Sequence, residues 1–498
     1  MKKIFKFSSL VLASSLPIAT FIACSGQSQA EVELQKQVEK LKENIKTDPT
    51  VAKLKTDFAG YSTESLSIIG SKNEIDLQSE ALIKVFNEHF GTNLTFKQYG
   101  GGTNPGTIIE TKIAASSGVG DLLMYAIEPR SEFEGRIDKL IDTSPSAILD
   151  HQGDVPGTIK IGDKSFLPQV YEYYGVVYNR DLFNEKGVTV YEGKSFDSAS
   201  DKPSDLTKDQ NYDGTIEKEQ KLYVFTNDLK ESGYRKVISF LKSKGIDKPF
   251  YSIAKGGSPT LWPISTHLIA AAISTLSSPN KWDNANEIIT PEVIESVEKA
   301  LKIMGYDQGL ATNDVTKGLA ELAVGQTALI QGGTFSEPDI KRTNSEVKLG
   351  LFPLPIFNKI DQTAMIYRGA AQKWAITILG KDESKLKLAK MFLQFLYKTK
   401  TGYEFLSKSF KFISPYGAPE GVTNALNPES LLFSASNYKN DNDKETNVGR
   451  WIHDNFPEGF NTDNQVLKEA ANAGYSSAHG SYEKVKNEYN KLLNKNKN

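Results

Sequence analysis

Asp209, Asn211, Asp213, Thr215, Glu217 and Gln220 stand at positions 1, 3, 5, 7, 9 and 12 of one run, with Gly214 at position 6 and Ile216 at position 8. Hard oxygen donors at that spacing, with a glycine for the sharp turn, are what a calcium loop requires. The last position carries Gln220 where an EF-hand carries a bidentate glutamate, and the strand-like Lys221 to Phe225 follows in place of an exit helix. The run therefore reads either as a structural calcium site away from any ligand cleft or as a solvated acidic turn. Catalytic constellations are scarce. The histidines (His89, His151, His267, His453 and His479) are scattered, and none stands in H-E-x-x-H or in a zinc spacing. No G-x-S-x-G is present. Carboxylates are plentiful, so a glycosidase pair stays open, and no cofactor is required. The turn Gly100-Gly101-Gly102-Thr103-Asn104-Pro105 lacks a phosphate-loop lysine. It is either a tight turn without a ligand or a patch of N–H groups for a sugar or an anion.

Aromatic supply is the larger signal: 25 Phe, 21 Tyr and 4 Trp. The axial C–H groups of a sugar ring pack on aromatic faces while its hydroxyls need Asp, Glu, Asn, Lys and Arg partners. Positioning such groups calls for a sheet whose loops converge. Leu66 to Gly70, Leu94 to Gln98 and Asp121 to Tyr125 read as strands, alternating with helices over Leu77 to Phe90 and Thr107 to Ser116. That alternation predicts parallel crossovers and an α/β lobe. Ligands of such sheets sit beyond the carboxyl ends of the strands. Those loops are Ser71-Lys72-Asn73-Glu74, the triple-glycine turn, and Tyr125 through Glu128 to Arg130.

The chain opens Met1-Lys2-Lys3, runs through an apolar stretch from Ser8 to Ile22, and reaches its sole cysteine at Cys24. A basic start, a short apolar core and a small residue before the break read as a secretory signal. A lone cysteine has no internal disulfide partner. The stretch resembles a bacterial lipoprotein signal, which implies lipidation of Cys24 and a place on the outer face of the cell membrane. Losing Lys2, Lys3 and Lys6 takes the formal net charge from −2 to −5, which argues against nucleic acid as a partner. Beyond a polar leash, Leu34, Val38, Leu41 and Ile45 form one apolar stripe on a helix.

Lys164 to Gly187, KSFLPQVYEYYGVVYNRDLFNEKG, joins a tyrosine-rich strand to a short helix that starts at Asn179. The stretch resembles the crossing segment of family 1 extracellular solute-binding proteins, the maltodextrin-binding class. Ala323 to Phe335 resembles a second family signature, and Leu349 to Pro355 resembles its G-x-x-P-x-P. The loop 209–220 is similar to the calcium loop of the galactose-binding periplasmic protein, where a carboxylate from elsewhere completes the shell. The resemblance implies a two-lobed periplasmic-binding-protein-like α/β fold of type II. Each lobe is a mixed sheet flanked by helices, and two or three segments cross between them. The implied organisation is a signal at 1–23, a tether and amphipathic helix at 24–60, lobe 1 at 61–171 plus 358–412, and lobe 2 at 172–357 plus 413–498, with an insertion at 190–225.

In function the resemblance implies a monomeric, lipid-anchored binding protein that hands a sugar or oligosaccharide to an ATP-binding-cassette (ABC) permease and is not an enzyme. It places Glu172 on the crossing strand, Trp262 and Phe335 on one lobe, and Tyr125, Glu128 and Arg130 on the other, with Asn73 and Glu74 among the cleft loops. The usual fate of a ring such as Trp262 is the core. Two alternatives stand beside this reading: a binding protein for a phosphorylated polyol or nucleoside, and a surface glycosidase or adhesin.

Overall fold

The computed structural model describes residues 29–99, 105–115, 123–127, 133, 135–153, 155–253, 263–276, 285–305, 314–377, 382–422, 426–438 and 448–450, with isolated positions beyond. The signal at 1–23, Cys24, the triple glycine, Glu128, Arg130 and Trp262 lie outside the described residues. Among the described residues no helix is long and apolar enough to cross a membrane.

Strands β1 (Ser65–Gly70), β2 (Asn93–Gln98) and β3 (Leu123–Ile127) are parallel, with β1 in the middle. The helix Asp76–Phe90 connects β1 to β2, burying Leu82, Val85, Phe86 and Phe90 and stopping where Gly91 turns left-handed at φ 68°. This is the first lobe anticipated from alternating periodicity. Its core also takes the apolar stripe of the helix Gln29–Thr47, where Leu41 and Ile45 are buried against the rest of the lobe. The amphipathic helix is thus docked on the first lobe.

After the hairpin β4 (Ile159–Ile161) and β5 (Lys164–Phe166) comes β6 (Pro168–Asn179), the spine of the molecule. Its burial follows from composition: Val, Tyr and one Gly fill most positions between Pro168 and Asn179, with Gln169 and Glu172 the polar exceptions and Tyr171 the one position not fully buried. Asn179 ends the strand and caps the helix Arg180–Glu185, its side-chain oxygen accepting from the Leu182 N–H at 2.9 Å. The insertion folds into a sheet of its own, β7 (Val188–Tyr191), β8 (Thr215–Lys218) and β9 (Lys221–Phe225) in the order β7-β9-β8. Tyr191 and Phe225 stack there at 4.7 Å between centroids.

The remaining strands are β10 (Phe250–Tyr251), β11 (Leu329–Gly333), β12 (Leu349–Phe352), β13 (Leu354–Phe357), β14 (Ala364–Ile376) and β15 (Val448–Arg450). A single mixed sheet runs β10-β11-β6-β14-β3-β1-β2. The first half of β6 pairs with β14, whose far end pairs with β3. The second half of β6 pairs with β11 on one edge and with β12 on the other. Two long antiparallel strands, β6 and β14, therefore carry the chain from one lobe's strands to the other's. Ile413 adds a bridge to Tyr171, whose N–H donates to the Ile413 carbonyl at 2.9 Å. Leu349 to Pro355 is the stretch that resembles the G-x-x-P-x-P motif. In the structure that stretch forms β12 and β13, which flank the ends of β6 and β14, and the long passage is made by β14 itself.

Candidate functional site

The 3-10 turn Asn73–Ile75 follows the carboxyl end of β1, and the junction of β6, β11 and β14 lies opposite. Between them is a cavity of about 310 Å³. The β1 loop supplies Ser71, Lys72 and Glu74; β6 supplies Glu172 and Tyr174; β14 supplies Ala371 and Gln372. His267 comes from the π-helical turn Pro263–Ile269, Phe335 from the turn after β11, and Asp339 from the helix Glu337–Thr343. Gly333 makes the placement of Phe335 possible. A Cβ at Gly333 would strike the Tyr173 carbonyl and the Phe335 ring, so only glycine lets β11 lie this close to β6 and turn Phe335 inward.

Glu172, 3% exposed, is held on two sides. Lys72 Nζ donates to its Oε1, and the Tyr174 hydroxyl donates to its Oε2 at 2.9 Å. Lys72 also reaches Glu74 at 3.4 Å. Burial raises the pKa of Glu172, opposed by the Lys72 charge, and burial raises that of Glu74 against the same cation. Asp339 is raised by burial too, although Arg342 lies 2.8 Å away. The rings form a cluster: Tyr174 to His267 is 4.6 Å, and Phe335 lies 6.0 Å from each. The cavity thus offers ring surface beside carboxylates fixed in place, with one ammonium between two of them.

Of the residues expected to bind ligand, Glu74, Glu172 and Phe335 meet in this cavity. Asn73 is exposed and is not on the lining. Tyr125 is a correction: it is fully buried on β3 in an apolar cluster with Ile69, Ile109 and Phe166, its ring 6.0 Å from Phe133. β3 runs on to Ile127, so Tyr125 lies within the strand and not in the loop beyond it, and the alternation of side chains turns it to the face opposite Met124 and Ala126. Lys72, Tyr174, Asp339 and Gln372 were not singled out. Lys72 and Tyr174 stood within stretches already marked, but nothing in the sequence shows that Asp339, one helical turn after Phe335, faces the same space.

The candidate calcium run spans a turn and the start of a hairpin. Thr215 to Lys218 are committed to β8, paired antiparallel with β9, and Glu219 and Gln220 form the turn between them with positive φ at both. Glu217 and Gln220 therefore lie along a hairpin that follows the turn from Asp209 to Gly214. Asp209 accepts the Asn211 N–H, and Asp213 accepts the Thr215 N–H and hydroxyl, as local turns do. Among the described residues no group of three or more His, Cys, Asp or Glu is placed to hold a metal.

The chain has the fold of the two-lobed extracellular solute-binding proteins. It is similar to RafE from Streptococcus pneumoniae, at a TM-score of 0.58 and 15% identity over 87% of this chain and 98% of that one. RafE in complex with raffinose superposes at 0.59, at 15% identity over 86% of this chain and 99% of that one. The manno-oligosaccharide-specific BlMnBP2 from Bifidobacterium animalis subsp. lactis, in complex with mannotriose, superposes at 0.54, at 15% identity over 88% of this chain and 96% of that one. No family model and no curated protein matches the sequence.

Proposed function

We propose that this chain is a carrier that captures a sugar or oligosaccharide in the cavity between the β1 loop and the β6–β14 crossing. We further propose that it delivers that ligand to an ABC permease. The observation that carries this reading is the pairing of ring surface from Tyr174, His267 and Phe335 with the oriented carboxylate of Glu172. Rings offer a face for sugar C–H groups, and a carboxylate held by a lysine and a tyrosine is a fixed acceptor for a hydroxyl. The fold shared with raffinose-bound RafE and mannotriose-bound BlMnBP2 supports the same reading.

Calorimetric titration with raffinose-type and manno-oligosaccharides tests it. Phe335 lines the cavity and is half-buried, so Phe335→Ala should weaken sugar binding by about 2 kcal/mol, roughly thirtyfold in Kd, while apo melting stays near wild type. A variant that melts early yet binds unchanged would assign Phe335 to the core. Delivery to a membrane permease also calls for the carrier to stay at the outer face, and Cys24 is the residue to hold it there through lipid. Cys24→Ser should fold normally and lose partition into detergent. Equal retention of wild type and variant would remove the anchor.

A further inference from the structure

Two walls of the cavity belong to separate cores, and one side chain outside the lining ties them together. Ile75, next to Glu74, is fully buried in the apolar cluster of the first lobe, which fixes the β1 loop to that lobe. Ile340, next to Asp339, is fully buried in a different cluster with Leu322, Leu349 and Leu351, which fixes the helix Glu337–Thr343 to the other lobe. Loop and helix are in contact beside the cavity, and Arg342 spans the join. One terminal nitrogen of its guanidinium pairs with Asp339 Oδ1 at 2.8 Å, and the other donates to the Glu74 carbonyl at 3.2 Å. Glu74 and Asp339 line the cavity, and Arg342 does not. A planar fork with donors on separate nitrogens holds two acceptors at once, which the compact ammonium of a lysine is not shaped to do. The amphipathic helix Gln29–Thr47 reaches the same join from outside. It packs on the helix Asp76–Phe90 and also touches the helix Glu337–Thr343, with Arg342 facing the space between them.

We propose that Arg342 is a positioning residue, a clasp that holds the two cavity walls together and sets sugar affinity without touching the sugar. The inference rests on the reading of the cavity as a sugar site and adds how that site is held in shape. An exposed ion pair within one helix contributes little by itself. The bond to the Glu74 carbonyl is different in kind, because it joins two bodies that have separate cores. Without it the walls are freer to part, and a protein that spends less time in its binding arrangement binds more weakly in proportion.

The test uses the full chain carrying Cys24→Ser, with nitroxide labels at Glu80→Cys and Lys317→Cys. Both positions are exposed, one on the helix Asp76–Phe90 and one on the helix Val315–Ala323, so the labels report on opposite sides of the cavity. The Arg342 side chain is 43% exposed, so replacing it opens no core. In Arg342→Gln without sugar, pulsed electron resonance should show the two labels further apart than with arginine, at a melting temperature near wild type. Calorimetry of the unlabelled variant with raffinose and mannotriose should give a Kd about fivefold weaker for whichever binds wild type. Arg342→Lys keeps the charge beside Asp339 but not the fork, and should behave like Arg342→Gln. Unchanged label distances in Arg342→Gln, or full recovery in Arg342→Lys, would overturn the clasp and leave Arg342 a surface partner of Asp339. Failure of wild type to bind either sugar would count against the sugar reading, and the label distances would still decide the clasp.

Discussion

Replacing Lys72 with methionine should destabilise the protein by about 3–5 kcal/mol at neutral pH, the cost of leaving a buried charge without its partner. Lys72 and Glu172 are 6% and 3% exposed, and the pair ties the β1 loop to the crossing strand. Methionine fills the space of the lysine stem but leaves Glu172 with the Tyr174 hydroxyl as its remaining partner among these bonds. The double variant Lys72→Met with Glu172→Gln should recover most of the loss, because a neutral amide needs no counterion. The pH dependence has a definite sign. Burial already lifts the folded pKa of Glu172 and Glu74 above the ordinary value of 4.5. An acid raised on folding is penalised in full above its folded pKa, and the penalty fades as pH falls toward the ordinary value. Loss of Lys72 raises both carboxyls further. The gap between variant and wild type should therefore be widest at neutral pH and narrow on acidification toward 4.5, starting at higher pH than the wild-type groups titrate. Urea denaturation across that range reads it, and a gap that stays constant would show that Lys72 acts through packing instead of charge.

Tyr125→Ala should cost about 3–5 kcal/mol of stability, as removal of a large ring from a packed core does. Tyr125 is fully buried with Phe133 and Phe166 nearby, and β3 is the strand through which the first lobe joins β14. Melting should fall by the same margin with or without sugar, and sugar affinity measured below the transition should stay near wild type. Together with Phe335→Ala the experiment separates the two kinds of aromatic residue: one carries the lobe, the other faces the ligand. Loss of sugar affinity at an unchanged melting temperature would return Tyr125 to the cleft.

Local pattern made much of this architecture legible. The helix Asp76–Phe90, the strand from Pro168 to Asn179 and the cap at Asn179 follow from periodicity, β-propensity and capping chemistry. Strand β14 was less legible. Ala364 to Ala371 carries Arg368 and Gly369 in a stretch of mixed polarity, and it becomes a strand because β6 is there to pair with it. The run 209–220 was legible in part. Its spacing matches a calcium loop, and the β-branched Thr215 and Ile216 at its far end pair with β9 in a hairpin. At the site, Glu172 and Phe335 came from resemblance and Glu74 from loop position. Asp339 and His267 reach the cavity through tertiary packing of a helix and a π-turn, which no one-dimensional period encodes.

The central claim is that the cavity between the β1 loop and the crossing strands carries a sugar and releases it unchanged. Native mass spectrometry of the intact protein, incubated with a mixture of oligosaccharides and sampled over hours, tests that claim most directly. The account predicts one-to-one complexes whose ligand masses do not change with time and whose Kd, read from a sugar titration, rises about thirtyfold in Phe335→Ala. Shorter oligosaccharides accumulating with time, or no saccharide complex at any mass, would contradict it.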